Sequence, residues 1–564
     1  MHKAILFFIL LTSPLFGQNE FYVSPAGNNA SAGTLLQPWQ TAQYALDHAV
    51  PGCTIYLMGG TYRENLDFTV SGTSSDHITL TSYAGQSAVI DGTGTSGDYL
   101  LRISGKNYIN VEHLEFANLS KNNACGILIE GNSTSVNINN NRIHKINFSF
   151  DPVAPVQQGR SAHAIAVYGN NPVQQITSIG ISHNTIFSCR TGKSPAVEIS
   201  GNVGLFGISR NKISDISNSG IGITSYKGTS SDVMNDRPEN GQIWMNTIHD
   251  CLSETENASG ILVDGAMFCR IENNSLYSNT IGITICCSAV GKSAISVGCR
   301  NNVVYRNHGA GIFLGGFVYP AGCGAVEGCS VYCNTLFENN SSGTGAELLI
   351  GYTSNTTVKS NIVDGHSNTV LVKCTEPGNL LSMNFNLYYC QSIPEFSWNG
   401  NATFSFAGWQ TISGGDANSL LTNPQFVSPS DANVHLEMSS PAIDRGDSTY
   451  LPVLNEVDMD TMTRVQNGRV DIGADEYGTT VGITETNPNH PSTMSYYESG
   501  SDMVFTFLIP QSVNTKVFLY DATGKTLGVA EAKKGDSSVK FSNAAVASGV
   551  YFVSANGFVL KIVR

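Results

Sequence analysis

Two acids stand at related places in a set of short, similar segments: Glu198 in AVEIS (196–200) and Asp264 in GILVD (260–264). Companion segments read GILIE (126–130), AIAVY (164–168), GIGIT (220–224), GITIC (282–286) and GIFLG (311–315). Aligned on their first residues, they carry Ile, Val or Leu one and three places later. Strand side chains alternate between faces, so those residues point inward and the ones between point outward. One outward column then contains Glu198, and the next contains Tyr168, Thr224 and Asp264. With strands about 4.8 Å apart, the Cα atoms of Glu198 and Asp264 lie on the order of 12 Å from one another. Their carboxyls would approach to roughly 6–10 Å, the span inverting glycosidases use, with one as acid and the other as base. Apolar walls would raise the pKa of the acid. The plain alternative is that each acid caps a turn or pairs with a nearby cation, and Asp264-Gly265 is a common turn by itself.

The same neighbourhood holds a second set of chemistry. Cleaving a uronate by β-elimination needs a base for the C5 proton and a cation for the carboxylate. His163, Lys227 and Arg237 could supply these, and Asp264 with Asp236 or Glu239 could hold calcium. Tyr168 and Tyr226 add rings that stack on sugar faces. The expected substrate-binding residues are therefore His163, Tyr168, Tyr226, Lys227 and Arg237. The expected catalytic pair is Glu198 and Asp264, which needs no metal or other cofactor; calcium enters only with the lyase alternative.

The elements that must position these residues are repeats. Each outward-facing segment alternates with an Asn turn, such as ISRNKI (208–213), IENNSL (271–276) or VKSNIV (358–363). Asn211, Asn246, Asn274, Asn302, Asn334 and Asn361 are separated by 35, 28, 28, 32 and 27 residues. A period near 28 with two or three strands per repeat marks a solenoid, and the alternation inside each segment marks β structure. The expectation is an all-β right-handed parallel β-helix over about 50–440, its turn asparagines laddered between coils. Long insertions at 147–162, 225–240, 252–259 and 316–328 flank the strand bearing Glu198 and Asp264, and would wall a groove. The amphipathic stretch TAQYALDHAV (41–50) would plug the open end of the bore.

Composition sets outer limits. The 564 residues carry 30 Lys and Arg against 44 Asp and Glu, a formal charge of −14. No basic stripe is available for nucleic acid. Apart from the N-terminal segment, no apolar run reaches the roughly 18 residues of a membrane span. His2 and Lys3 precede an apolar run over 4–11, so 1–18 reads as a secretory signal peptide, and a secreted or cell-surface location follows. The 13 cysteines form no metal-ligand spacing; most read as small buried residues, and Cys323, Cys329 and Cys333 lie close enough for one loop disulfide. A monomer is expected.

Several segments resemble known proteins. Residues 21–64 are similar to the opening of secreted carbohydrate-active β-helix proteins of the pectin-lyase-like superfamily. SPAIDRGD (440–447) with VDIGADEYG (470–478) resembles the segment that closes many bacterial β-helix enzymes. NPNHP (487–491), VFLYDATGKTL (517–527), ASGVYFV (547–553) and the terminal KIVR (561–564) resemble the C-terminal sorting domain of the type nine secretion system of Bacteroidetes. These resemblances imply a signal peptide over 1–18, a β-helix catalytic domain over 19–478, a linker over 479–494 and a small β-sandwich over 495–564 that engages the secretion machinery. Residues 196–361 also resemble a group of secreted β-helix proteins whose outward strand positions carry acids. Glu198 and Asp264 match that pattern, while Thr224 and Thr284 replace acids and weaken any calcium cluster. The implied function is a polysaccharide-degrading enzyme, hydrolase ahead of lyase. A polysaccharide epimerase and a non-catalytic glycan-binding or adhesin β-helix are the other readings. Sulfated fucan, carrageenan, alginate and pectin all fit as substrates.

Overall fold

The computed structural model describes residues 20–253, 258–316, 318–453 and 456–478, followed by 494–499, 502–507, 515–521, 526–533, 538–541, 550–555 and 558–563. The proposed signal peptide and nearly all of the linker lie outside these residues. The chain divides into two compact units, Met1–Tyr477 and Gly478–Arg564.

The first unit is a right-handed parallel β-helix. Three long parallel sheets of 15, 13 and 13 strands run its length, and the chain visits each in turn. One coil reads Ala124–Glu130, Thr134–Asn139, Arg142–Asn147 before the next begins at Ala162. Such a coil has three strands; the coils that begin at Ile281 and Ile312 carry a fourth, Ser293–Ile295 and Ala325–Glu327. Inward residues stack in columns: Ile143, Ile186, Ile213, Ile248, Leu276, Val304, Leu336 and Val363 are register neighbours in turn. All are essentially inaccessible to solvent. Burying each such side chain contributes about 1.5–3 kcal/mol, so the stack supplies much of the drive for coiling.

The Asn turns form the expected ladder. Asn211 Nδ2 donates to Asn246 Oδ1 (3.0 Å), Asn246 to Asn274 (2.9 Å), Asn274 to Asn302 (2.9 Å), Asn302 to Asn334 (2.9 Å) and Asn334 to Asn361 (3.0 Å). Each Oδ1 also accepts the preceding asparagine's backbone N–H. The residue before each of these asparagines has a positive φ, between 52° and 57° from Arg210 to Ser360. Left-handed backbone is costly for non-glycine residues, and the satisfied amide ladder holds it in place. A second ladder at another corner, Asn279–Asn307–Asn339, ends on the buried Glu347. Sequence reading missed it.

The ends differ from expectation. The N-terminal helix spans only Ala42–Asp47, with Ala42, Ala45 and Leu46 buried. Pro51 disfavours helical backbone at Val50 and so shortens the predicted 41–50 element. The coils continue to Leu420–Leu421. The C-terminal end carries a helix, Phe406–Ser413, that sequence reading did not find, with Trp409 fully buried. Buried Asp416 gathers the Trp409 indole N–H (2.8 Å), the Tyr388 hydroxyl (2.9 Å) and the amide of Asn386, the last rung of the ladder (3.0 Å). The 440–478 segment does not close the end. It lies along the side of the coils as a strap, through Lys359–Asp447 (2.9 Å), Arg300–Glu456 (3.1 Å) and the apolar packing of Ile472 and Ala474 on Ile362 and Phe337.

All thirteen cysteines are free thiols, so the loop disulfide among Cys323, Cys329 and Cys333 is absent. Twelve of them are buried, as small residues of a stacked core. The second unit is a β-sandwich of two antiparallel sheets. Met494–Ser499, Asp502–Phe507 and Ser538–Phe541 form one; Thr526–Ala532, Thr515–Asp521, Val550–Ala555 and Phe558–Val563 form the other.

Candidate active site

Strand register places the candidate acids as the alternation requires. Ala166, Glu198, Gly222, Leu262 and Thr284 form one column; Tyr168, Ser200, Thr224, Asp264 and Cys286 form the next. Glu198 and Asp264 are thus two coils apart and offset by two residues. The floor lies deep: Thr224 and Asp264 are each only 5% exposed.

Glu198 sits in a closed polar cluster. Thr224 Oγ1 donates to Glu198 Oε1 at 2.8 Å. The other oxygen, Oε2, lies 3.3 Å from the Tyr168 hydroxyl and 3.3 Å from His163 Nε2. His163 Nδ1 faces the Pro195 carbonyl at 2.9 Å, an acceptor, so Nδ1 carries a proton. In the neutral ring Nε2 is then an acceptor, and the Tyr168 hydroxyl lies 2.9 Å from it. Burial, and after it the Glu198 charge, push the Tyr168 phenol well above its ordinary pKa. Tyr168 is therefore a neutral hydroxyl placed between an imidazole and a carboxylate.

Asp264 is held by three hydrogen bonds. Its Oδ1 accepts the Ser288 backbone N–H (2.6 Å), and its Oδ2 accepts the Ser288 hydroxyl (2.6 Å) and Lys227 Nζ (2.9 Å). Burial works against the Lys227 ammonium, but the charge and hydrogen bond of Asp264 outweigh it, and the pKa ends above the ordinary lysine value. The loop that delivers Lys227 is built on buried Asp236, which accepts the backbone N–H groups of Gly228 (2.7 Å) and Ser230 (2.9 Å). Gly265 has φ +76°, and a Cβ there would stand 3.1 Å from the Tyr226 ring, so glycine lets the ring lie against the turn after Asp264. Arg237 Nη1 donates to the Tyr226 hydroxyl at 3.2 Å, and Lys292 Nζ lies 5.2 Å from the Tyr226 ring centre.

The structure therefore sorts the predicted residues into two groups, Glu198 with His163 and Tyr168, and Asp264 with Lys227, Tyr226 and Arg237. The two acids share no hydrogen-bond partner among the described residues, yet the Glu198 charge still acts on Lys227. Several expectations are corrected. His163, expected to bind substrate, lies in the strand Ala162–Gly169 and is only 4% exposed. Phe148 packs into the core instead of a groove wall, with Arg190 stacked on its ring at 4.8 Å. Residues 254–257 and 317 of the expected walls lie outside the described residues. Asp264, Asp236 and Glu239 do not converge: Asp236 caps its own loop, and Glu239 accepts from Gln175 at 3.4 Å. These three do not fit the calcium ion that the lyase alternative assigned to them. Ser288 and Lys292 were missed. The signal for Ser288 was its place two residues after Cys286, the register neighbour of Asp264.

The chain is 31% identical over 443 residues to the uncharacterized protein YwoF of Bacillus subtilis (strain 168), spanning 75% of this chain and 91% of that one. The chain belongs to the YwoF family. Residues 21–189 also match the family described as Pel9A-like, right handed beta helix region. A stretch of 80 residues is 46% identical to pectate lyase PEL9 of Emericella nidulans, covering 14% of this chain and 20% of that protein. Among solved structures, pectate lyase Pel9A is similar at a TM-score of 0.39 and 14% identity, over 81% of this chain and 96% of that one. The A-module of the mannuronan C-5 epimerase AlgE6 of Azotobacter vinelandii follows at a TM-score of 0.41 and 14% identity, over 68% and 94%. The Pel9A-like match takes in the opening at 21–64, and it includes His163 and Tyr168 but stops short of Glu198. This YwoF-family chain thus carries five of its seven candidate site residues, Glu198, Tyr226, Lys227, Arg237 and Asp264, outside the matched stretch.

Proposed function

We propose that this chain is a secreted polysaccharide lyase that cleaves a uronate-containing polymer by β-elimination in the groove over Glu198 and Asp264. This replaces hydrolysis by that acid pair as the leading reading. The observation that carries it is the pairing of Asp264 with Lys227 and Ser288. Hydrolysis needs two carboxyls with free lone pairs or a proton to give. Asp264 already accepts three hydrogen bonds, two from Ser288 and one from Lys227, so it serves as a held partner of the lysine more readily than as an acid or base. What that half of the site offers a polymer is the Lys227 ammonium, whose side chain is 46% exposed. The likeness of parts of the chain to pectate lyase PEL9 and to the Pel9A-like family supports the same direction.

The residues divide the work as follows. Lys227, its pKa raised, keeps its charge and pairs with the uronate carboxylate, stabilising the negative charge that develops there as the C5 proton leaves. His163 is too buried to meet a sugar, so the Tyr168 hydroxyl is the group in contact. It takes the C5 proton as its own proton passes to His163 Nε2, and Glu198 stabilises the imidazolium formed. The C4–O bond breaks, a C4=C5 double bond forms, and the proton returns through Tyr168 to the departing oxygen. Tyr226 and Arg237 line the same side and bind neighbouring sugars. No step is routed through a metal. Residues 1–18 and the β-sandwich act in export, as their resemblances suggest, and the sandwich takes no part in catalysis.

The test is incubation of the purified chain with polyuronates and with neutral polysaccharides, reading new reducing ends beside the ultraviolet absorbance of an unsaturated uronyl end. Absorbance that rises with chain cleavage is expected. Reducing ends without absorbance would return the enzyme to hydrolysis.

A further inference from the structure

A cavity of about 560 Å³ opens on a different sheet from the groove, between the third sheet and the hairpin Phe426–Ser428 with Asn433–Leu436. Its floor is a register column of three successive coils: Phe337, Asp364 and Tyr389. Asp364 is 7% exposed, and its carboxyl takes no hydrogen bond or ion pair from any described residue. Its carboxyl faces the cavity, so its hydrogen-bond partners there are water or a ligand. Burial, with the Glu338 charge adding to it, pushes Asp364 up to about 8, so at neutral pH it is largely a neutral acid that both donates and accepts.

The rest of the lining narrows the occupant. Glu338, Glu437 and His366 line the cavity, and among the described residues no lysine or arginine does; Arg306 pairs with Glu338 at 3.0 Å and lies against Phe337 and Pro429 at the edge of the lining. Glu437, which has no ion pair among the described residues, disfavours a polyanion. Gln391 and Gln425 offer amides that donate and accept, the pairing that sugar hydroxyls need. Tyr389 offers a half-buried ring with an apolar face. The volume falls within the usual range of small-ligand sites.

We propose that this cavity is a second glycan site, separate from the groove, that takes an uncharged sugar unit, with Asp364 as its central hydrogen-bonding group and Tyr389 as its stacking surface. The proposal does not depend on the groove being a lyase. It gives the chain a way to hold neutral branches or neighbouring neutral chains while the groove meets an acidic one.

Titration calorimetry and saturation-transfer NMR on the full chain test it, with cellobiose, xylobiose, mannobiose and galactobiose as probes and digalacturonate as the charged control. At least one neutral disaccharide should bind more tightly than about 10 mM. Asp364→Leu and Tyr389→Ala should each weaken it by about tenfold or more, with the thermal transition retained. Asp364→Asn, which keeps a donor and an acceptor, should restore most of the binding. Digalacturonate should not compete, and Lys227→Ala should leave the disaccharide bound as before. Failure of all four probes, insensitivity to both Asp364→Leu and Tyr389→Ala, or equal competition by digalacturonate would overturn the proposal.

Discussion

Lys227 Nζ lies 2.9 Å from Asp264 Oδ2 and 2.9 Å from the Ser288 hydroxyl, groups 37 and 61 residues further along the chain. This contact decides what Asp264 is. A carboxylate holding a lysine and a serine is a holder of charge and position, and the cation it presents becomes the group that meets substrate.

Lys227→Ala should lower kcat/KM on a polyuronate by about 10²–10³-fold, the scale of losing one electrostatic stabiliser of a developing charge. Lys227→Arg should recover part of it. Asp264→Asn should cost less than Lys227→Ala, because the amide keeps a bond to Ser288 while loosening the ammonium. Initial rates of unsaturated-product formation measure all three, and an Asp264→Asn variant slower than Lys227→Ala would count against this division of roles.

Tyr168→Phe should lower turnover by about 10²–10⁴-fold with the fold intact. His163→Gln and Glu198→Gln should fall in the same range. Because the three act as one relay, the double variant Tyr168→Phe with His163→Gln should be little slower than either single one. Additive losses would mean that the residues act in separate steps.

Stability should fall as pH rises from about 4.5 to 8. Glu347 is fully buried, and burial pushes its carboxyl from 4.5 up to about 8. Its folded pKa lies above its unfolded one, so the native state binds the extra proton in that window and loses the advantage as the group ionises. Glu347→Gln should therefore flatten the decline and raise the melting temperature at pH 8 to 9. Calorimetry across that range is the measurement, and a variant with an unchanged pH slope would assign the decline elsewhere.

Asn246→Ala should destabilise the β-helix by about 3 kcal/mol, since it strands the backbone N–H of Asn211 and one of its amide hydrogens and removes the donor to the Ile208 carbonyl and to Asn274 Oδ1 in a buried corner. Denaturant titration would show it. A loss below about 1 kcal/mol would mean that water replaces the rung.

A chain ending at 478 should keep full activity when purified, since the groove residues all lie in the first compact unit. In cells the same truncation should remain within the envelope. Lost activity in the pure truncation would make the β-sandwich a substrate-binding module.

Much of the fold was legible because it is periodic. Ile213, Ile248 and Leu276 fall under one another, as do Asn211, Asn246 and Asn274, since each coil must bury one column and pair one amide row at a spacing set by the chain itself. The alternation of AVEIS and GILVD was enough to place Glu198 and Asp264 in adjacent outward columns, and the register agrees. Local rules carry that far because strand geometry is local.

The partners were not local, and only the tertiary structure decided them. His163 stands just past the 147–162 insertion in sequence, and coiling sets its ring against the Tyr168 hydroxyl and the Pro195 carbonyl. The strap at 440–478 runs along the coils instead of over their end, because Arg300 and Lys359 offer it charges on that flank. Lys227 reaches Asp264 because Asp236 folds the loop between them, and Gly265 leaves room for Tyr226. Periodicity determines where a side chain points. Whether an acid there is free to react depends on what loops from other coils bring to it, and that is a property of the folded chain.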